Sequence, residues 1–347
     1  MGDLAHLSRH AAETGDPDLA AAVHRRAAVL AFDRGYTSTA YGLCNLNTQL
    51  YLAHRPLSVL HARQALESQV TAAELLIREG REQTALDLLA TVARAIGEDQ
   101  DANLPTGCLP LAGLVSDREA RGDVFEWWAG AELRLGVRAL ARQGRWAEAH
   151  LQAQADPIRL PGLFEGRQIA VVSMALEGRS VLASSLVEQA PREAPWENVV
   201  AELLKVACAL IAGQVADAQL VAMLDVHDTY SPTYSPGFDT EITLAAAELC
   251  IAADKPGGAR RLYEAATGWA LEAPEGYSAL SLLRHDLAAR LPEAHRQELA
   301  AITERAGLRA VQVPADLDDR IAAALGQAAA VITNSVAAAA PSPPAQP

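Results

Sequence analysis

The sequence predicts an all-α protein, an α-α superhelix of antiparallel helix pairs, and three observations carry that expectation. Half of the 347 residues are hydrophobic but only 5% are aromatic; alanine, leucine, valine and arginine recur, a composition of good helix formers and few strand formers. Gly144, Gly178 and Gly213 stand about 34 and 35 residues apart, the length of a two-helix unit. Each is followed five residues later by an alanine, as are Gly35 and Gly80.

The best-formed unit surrounds Gly144. Leu133, Gly136, Val137 and Leu140 share one helical face ahead of it, so that helix has a side to bury. Gly144 ends it, because glycine reaches the left-handed conformation without a Cβ clash.

Taken in order, residues 3–14 read as a leading helix stopped at Gly15. Asp16-Pro17 supplies an N-cap and a first-turn proline for a helix to about Asp33. Gly35 turns the chain into a helix over 38–53, Pro56 marks the start of one over 57–79, and Gly80 separates that from 82–96. The proline and glycine density over 97–116 fits no regular helix and predicts a long loop, a length common in functional segments. Helices follow over 117–143 and 146–155, 164–177 and 180–190, 196–212 and 215–226. A second loop over 227–239, with Tyr230, Tyr234 and Phe238, interrupts the series. Pairs over 240–253 and 257–272, then 277–290 and 293–306, resume it, and a last amphipathic helix runs from Asp316 to about Val331. The expected organisation is a repeat domain over 1–312, a C-terminal helix over 313–333 and a disordered Ala/Pro tail over 334–347.

Several units share a residue pattern. Around Gly144 it is Leu133, Val137, Leu140, Ala149 and Pro161; around Gly178, Ala170, Val171, Met174, Ala183, Ala190 and Pro195. Around Gly80 it is Ala72, Ala73, Leu76, Ala85 and Leu89; around Gly213, Val206, Ala209, Ala218 and Ala222; around Asp254, Ala246, Ala247, Cys250, Ala259, Tyr263 and Ala266. On these residues the chain resembles the tetratricopeptide repeat over about 17–306, without the tryptophan and tyrosine usual in its first helix. The resemblance implies a protein- or peptide-binding scaffold in which the first helix of each pair lines a concave groove. Such arrays also form the repeat part of bacterial transcriptional regulators, and here the expectation is an array without the helix-turn-helix domain.

A formal net charge of −14 argues against direct nucleic-acid binding, which needs a basic face. Cys44, Cys108, Cys208 and Cys250 form no CxxC pair and suit buried thiols in a reducing compartment. The N-terminus has no basic and apolar leader, and no run of eighteen uncharged apolar residues is present, so the expected setting is cytoplasmic with no membrane contact. No GxGxxG, P-loop or GxSxG occurs, and no cofactor is expected. His6 and His10 stand one helical turn apart, but no third ligand follows, so no metal is expected either. Asp316-Leu317-Asp318-Asp319 matches an acidic motif of terpene cyclases, but it sits beside the Ala/Pro tail without the aromatic-lined cavity such chemistry requires, and Asp316 is well placed to cap a helix.

Two sets of residues carry the functional expectations. In a groove-lining first helix, Arg134, Arg138 and Arg142 form one stripe that could receive a carboxylate or an acidic peptide, since guanidinium offers paired donors in a fixed fork. The competing reading pairs them with neighbouring acids such as Glu132, or leaves them in water. Trp127 and Trp128 open the same helix, where one ring could anchor a partner and the other pack in the core. On these residues the chain is a regulatory or accessory scaffold for a protein or peptide with acidic groups, a homodimer being compatible. The alternative is an all-α enzyme whose pocket is roofed by the two loops, with His227, Asp228, Tyr230 and Tyr234 as proton-transfer groups.

Overall fold

The computed structural model describes residues 2–104, 107–155, 162–230, 235–308 and 315–339, and the chain is all-α: these residues form sixteen α-helices and one short hairpin. They divide into two compact units, Met1–Arg145 with Val311–Pro347, and Trp146–Ala310. Where the sequence suggests one array over 1–312 and a separate last helix, the chain instead divides just after Gly144, and the last helix belongs with the first unit.

One corner recurs along the chain. At Gly35, Gly80, Gly144, Gly178, Gly213 and Asp254, φ lies between +56° and +84°. The next residue's N–H reaches back five positions to a carbonyl, Tyr36 to Ala31 and Arg179 to Met174 among them, at 2.8–2.9 Å in every case. This closing bond satisfies a carbonyl that the helix end would otherwise orphan. Five of the alanines that follow, Ala40, Ala85, Ala149, Ala183 and Ala259, are fully buried. Ala218 is exposed: the helix after Gly213 starts late, at Asp217, and Leu220 is the residue it buries.

In the first unit α1 (Gly2–Thr14) precedes α2 (Pro17–Asp33), α3 (Thr37–Leu52), α4 (Val59–Arg78), α5 (Glu82–Glu98) and α6 (Arg118–Arg142). α2, α4 and α6 lie side by side; α3 packs on α2 and α4, and α5 on α4 and α6. The expected loop 97–116 is largely ordered. Strands β1 (Ala102–Leu104) and β2 (Gly107–Leu109) pair antiparallel, and Leu104, Leu109, Leu111 and Leu114 are buried. Two aspartates hold its return: Asp99, itself left-handed at φ 55, accepts from Gly113 N at 2.9 Å, and Asp101 accepts from Ala112 N at 3.0 Å. Leu57 N then donates to Leu114 O at 2.8 Å.

The second unit contains α7 (Trp146–Gln154), α8 (Glu165–Leu176), α9 (Ser180–Glu188), α10 (Pro195–Ile211), α11 (Asp217–Thr229), α12 (Pro236–Ala252), α13 (Pro256–Glu272), α14 (Gly276–Arg284) and α15 (Glu293–Arg305). α8, α10, α12 and α14 pack side by side, each also on its following partner. Much of the loop expected over 227–239 is helix, since α11 continues to Thr229 and α12 begins at Pro236 under a Ser235 cap.

The last helix, α16 (Ala315–Ala339), packs on α1, α2 and α3 and outruns its expected end at Val331. Ala324, Ala328, Ile332 and Val336, four apart, form its buried stripe. Ser8 Oγ donates to Ala324 O at 3.0 Å, and His61 Nε2 lies 3.1 Å from Ser335 Oγ. By length and composition Asp319–Ala339 is apolar enough to cross a membrane; its buried stripe accounts for part of that apolarity. Residues 340–347 of the expected tail lie outside the described residues, as do the side chains of Asp316 and Asp318.

Candidate binding face

Along the row α2–α4–α6, the outward side chains tie each helix to the next. Arg25 of α2 pairs with Glu67 of α4, and Arg78 of α4 returns to Asp33 of α2, its guanidinium 5.1 Å above the Phe32 ring. Arg63 Nη2 of α4 donates to the Asp123 carbonyl of α6 at 3.1 Å.

Beneath these pairs lies a buried polar layer. Asn47 donates to Ser68, Gln69 Nε2 to Thr48 Oγ1 at 2.9 Å, and Gln64 to Asp18. Tyr51 is fully buried, and its hydroxyl and Gln64 Oε1 find no hydrogen-bond partner. Burial pushes the Tyr51 phenol up, Arg25 opposes that, and Asp18 and Glu67 add to it. Sequence reasoning misses this layer because glutamine, asparagine and serine read as surface residues; their helical spacing over Gln64, Ser68 and Thr71 is the signal that could have found it.

α6 carries the expected arginine stripe. Arg134, Arg138 and Arg142 are all exposed on it. Arg142 Nε lies 3.2 Å from Glu82 Oε1 at the start of α5, whereas Arg134 makes no ion pair among the described residues. Trp128 is fully buried, its indole N–H donating to Leu89 O at 3.0 Å, so this ring joins α6 to α5. Trp127 is half-buried against the same core, and Phe125 near it is exposed.

The other expected quartet sits in the second unit. His227 is buried, stacks on Trp269 at 5.6 Å and lies 2.9 Å from Thr243 Oγ1. Thr243 gives its one proton to the Asp239 carbonyl at 2.8 Å, so His227 Nε2–H is the donor. Burial lowers the His227 pKa, with Asp228 opposing and Arg261 reinforcing, which keeps the ring neutral. Tyr230 donates to the buried Asp239 carboxylate. Asp228 is exposed and pairs with Arg261 at 3.2 Å. The structure thus brings His227 and Tyr230 together through Thr243 and Asp239, turns Asp228 outward, and Tyr234 lies outside the described residues.

Cys44, Cys208 and Cys250 are buried, with burial pushing the Cys44 thiol up to about 12, while Cys108 is exposed on β2. Among the described residues no three of His, Cys, Asp and Glu come together as metal ligands. No protein-family model, curated protein or solved structure matches the chain.

Proposed function

We propose that the protein is a helical-repeat scaffold that binds an acidic peptide or protein segment along the outward face of α2, α4 and α6. The single observation that supports this is the contrast among its cations. Arg25 and Arg78 are matched to acids of the neighbouring helix, whereas Arg134 makes no ion pair among the described residues and lies exposed on α6, one helical turn from the exposed Arg138, in a chain of net charge −14. An acidic segment docking there gains charge-assisted bonds from two guanidiniums one helical turn apart. Arg142, drawn toward Glu82, adds less. The tetratricopeptide-like pattern supports the same reading, because groove binding by first helices is what that pattern implies.

Anisotropy titration with a fluorescein-labelled, glutamate-rich short peptide tests this. Arg134→Glu with Arg138→Glu is expected to weaken binding roughly tenfold or more at low salt. Wild-type affinity should also fall as salt rises. Equal affinity of wild type and double variant removes the stripe from the function.

A further inference from the structure

The first unit also holds a cavity that the peptide-binding reading does not use. It has a volume of about 630 Å³ and lies between the C-terminal half of α2, the start of α3 and α16. That volume falls within the range of small-molecule sites. Its walls are largely aliphatic, with Leu30, Leu43, Ile321 and Leu325 among them, and alanines such as Ala31 leave room that larger side chains would fill.

Arg34 is the one charged residue lining it, and no acidic residue shares the lining. Its Nε is buried without a hydrogen-bond partner. The nearest acid in sequence, Asp33, is paired with Arg78. Tyr36 and Thr39 add hydroxyls. An aliphatic chamber with a single uncompensated guanidinium complements a molecule with one anionic head and an apolar tail.

We infer that this cavity binds a single-chain amphiphile with a carboxylate head, the tail among the leucines of α3 and α16 and the head on Arg34. The planar fork of arginine matches a carboxylate with two parallel bonds. Because α16 supplies one wall, such a ligand also ties that helix to α2 and α3.

Titration calorimetry of the full chain with dodecanoate below its micellar concentration, beside dodecanol and dodecyl phosphate, tests the inference. Saturable binding at one site per chain is expected, with Arg34→Gln weakening dodecanoate by roughly ten- to a hundredfold and leaving dodecanol unchanged. Ala322 is exposed and lines the cavity, so Ala322→Trp is expected to fill it without disturbing the buried core, and it should abolish binding of both. Absence of dodecanoate binding, or equal affinity in either variant and wild type, overturns the inference. Tighter binding of dodecyl phosphate than of dodecanoate overturns the carboxylate assignment.

Discussion

Glu197 shows how one side chain joins distant stretches of chain. It is 3% exposed, and its carboxylate accepts from Leu163 N at 3.0 Å, Glu193 N at 2.7 Å and Ala194 N at 2.9 Å. Burial alone would raise its pKa, but the backbone N–H groups outweigh it and the net shift is downward. A carboxyl depressed in the folded state contributes stability above its unfolded pKa that is lost as pH falls through the folded one. Glu197→Gln removes the charge and should cost about 2 kcal/mol at pH 7 in urea unfolding; a loss near zero would contradict the role. His24 acts in the same direction. Buried with both ring nitrogens unpartnered, it is lowered by burial from 6.5 to about 4. Across that window the unfolded chain binds the proton first, so stability rises with pH and levels off above. His24→Leu should flatten the rise, a difference of about 3 kcal/mol between its ends, and an unchanged slope would contradict a neutral buried ring. From the sequence Glu197 is legible as a first-turn acid after Pro195, but its bond to Leu163 is not, because it depends on packing rather than on local pattern. The same holds for His24, which no spacing distinguishes from a surface histidine.

At the level of elements, the helix corners were the most legible feature, since a left-handed residue and its closing bond are local. A Cβ at Gly178 would meet nothing within 4 Å, so only backbone strain opposes Gly178→Ala. That variant should lose about 1 kcal/mol, whereas Asp254→Gly, which relieves a left-handed aspartate, should gain about 0.5 kcal/mol. Thermal denaturation reads both; shifts of the same sign would contradict the shared corner geometry. Ala218 marks the limit of the pattern, because the position of the alanine depends on where α11 starts, and that start slipped toward Asp217. The hairpin over β1 and β2 was illegible for a related reason. Its glycines and proline break a helix, but its order comes from Asp99 and Asp101 capturing amides across the turn and from Leu57 pairing beyond it. The arginine stripe was legible as spacing on α6; which arginine is held by Glu82 was not, because α5 supplies that acid.

For the whole molecule, the all-α class follows from composition and periodicity, while its division into two compact units does not. The boundary falls beside Gly144, whose corner resembles the others, and α16 returns to α1, α2 and α3 through contacts that span the length of the chain. Sequence pattern reports which face of α16 is apolar, not which helices cover it. The polar layer around Tyr51 is likewise a product of three helices meeting. The central claim is that the outward face of α2, α4 and α6 receives an acidic segment. Photo-crosslinking tests it most directly, using a glutamate-rich peptide that carries a photoreactive leucine, with the adducts located by peptide mass mapping. Adducts are expected on α4 and α6 near Arg134 and Arg138, and they should be lost in the double charge reversal. Adducts confined to the second unit, or unchanged by that reversal, would contradict it.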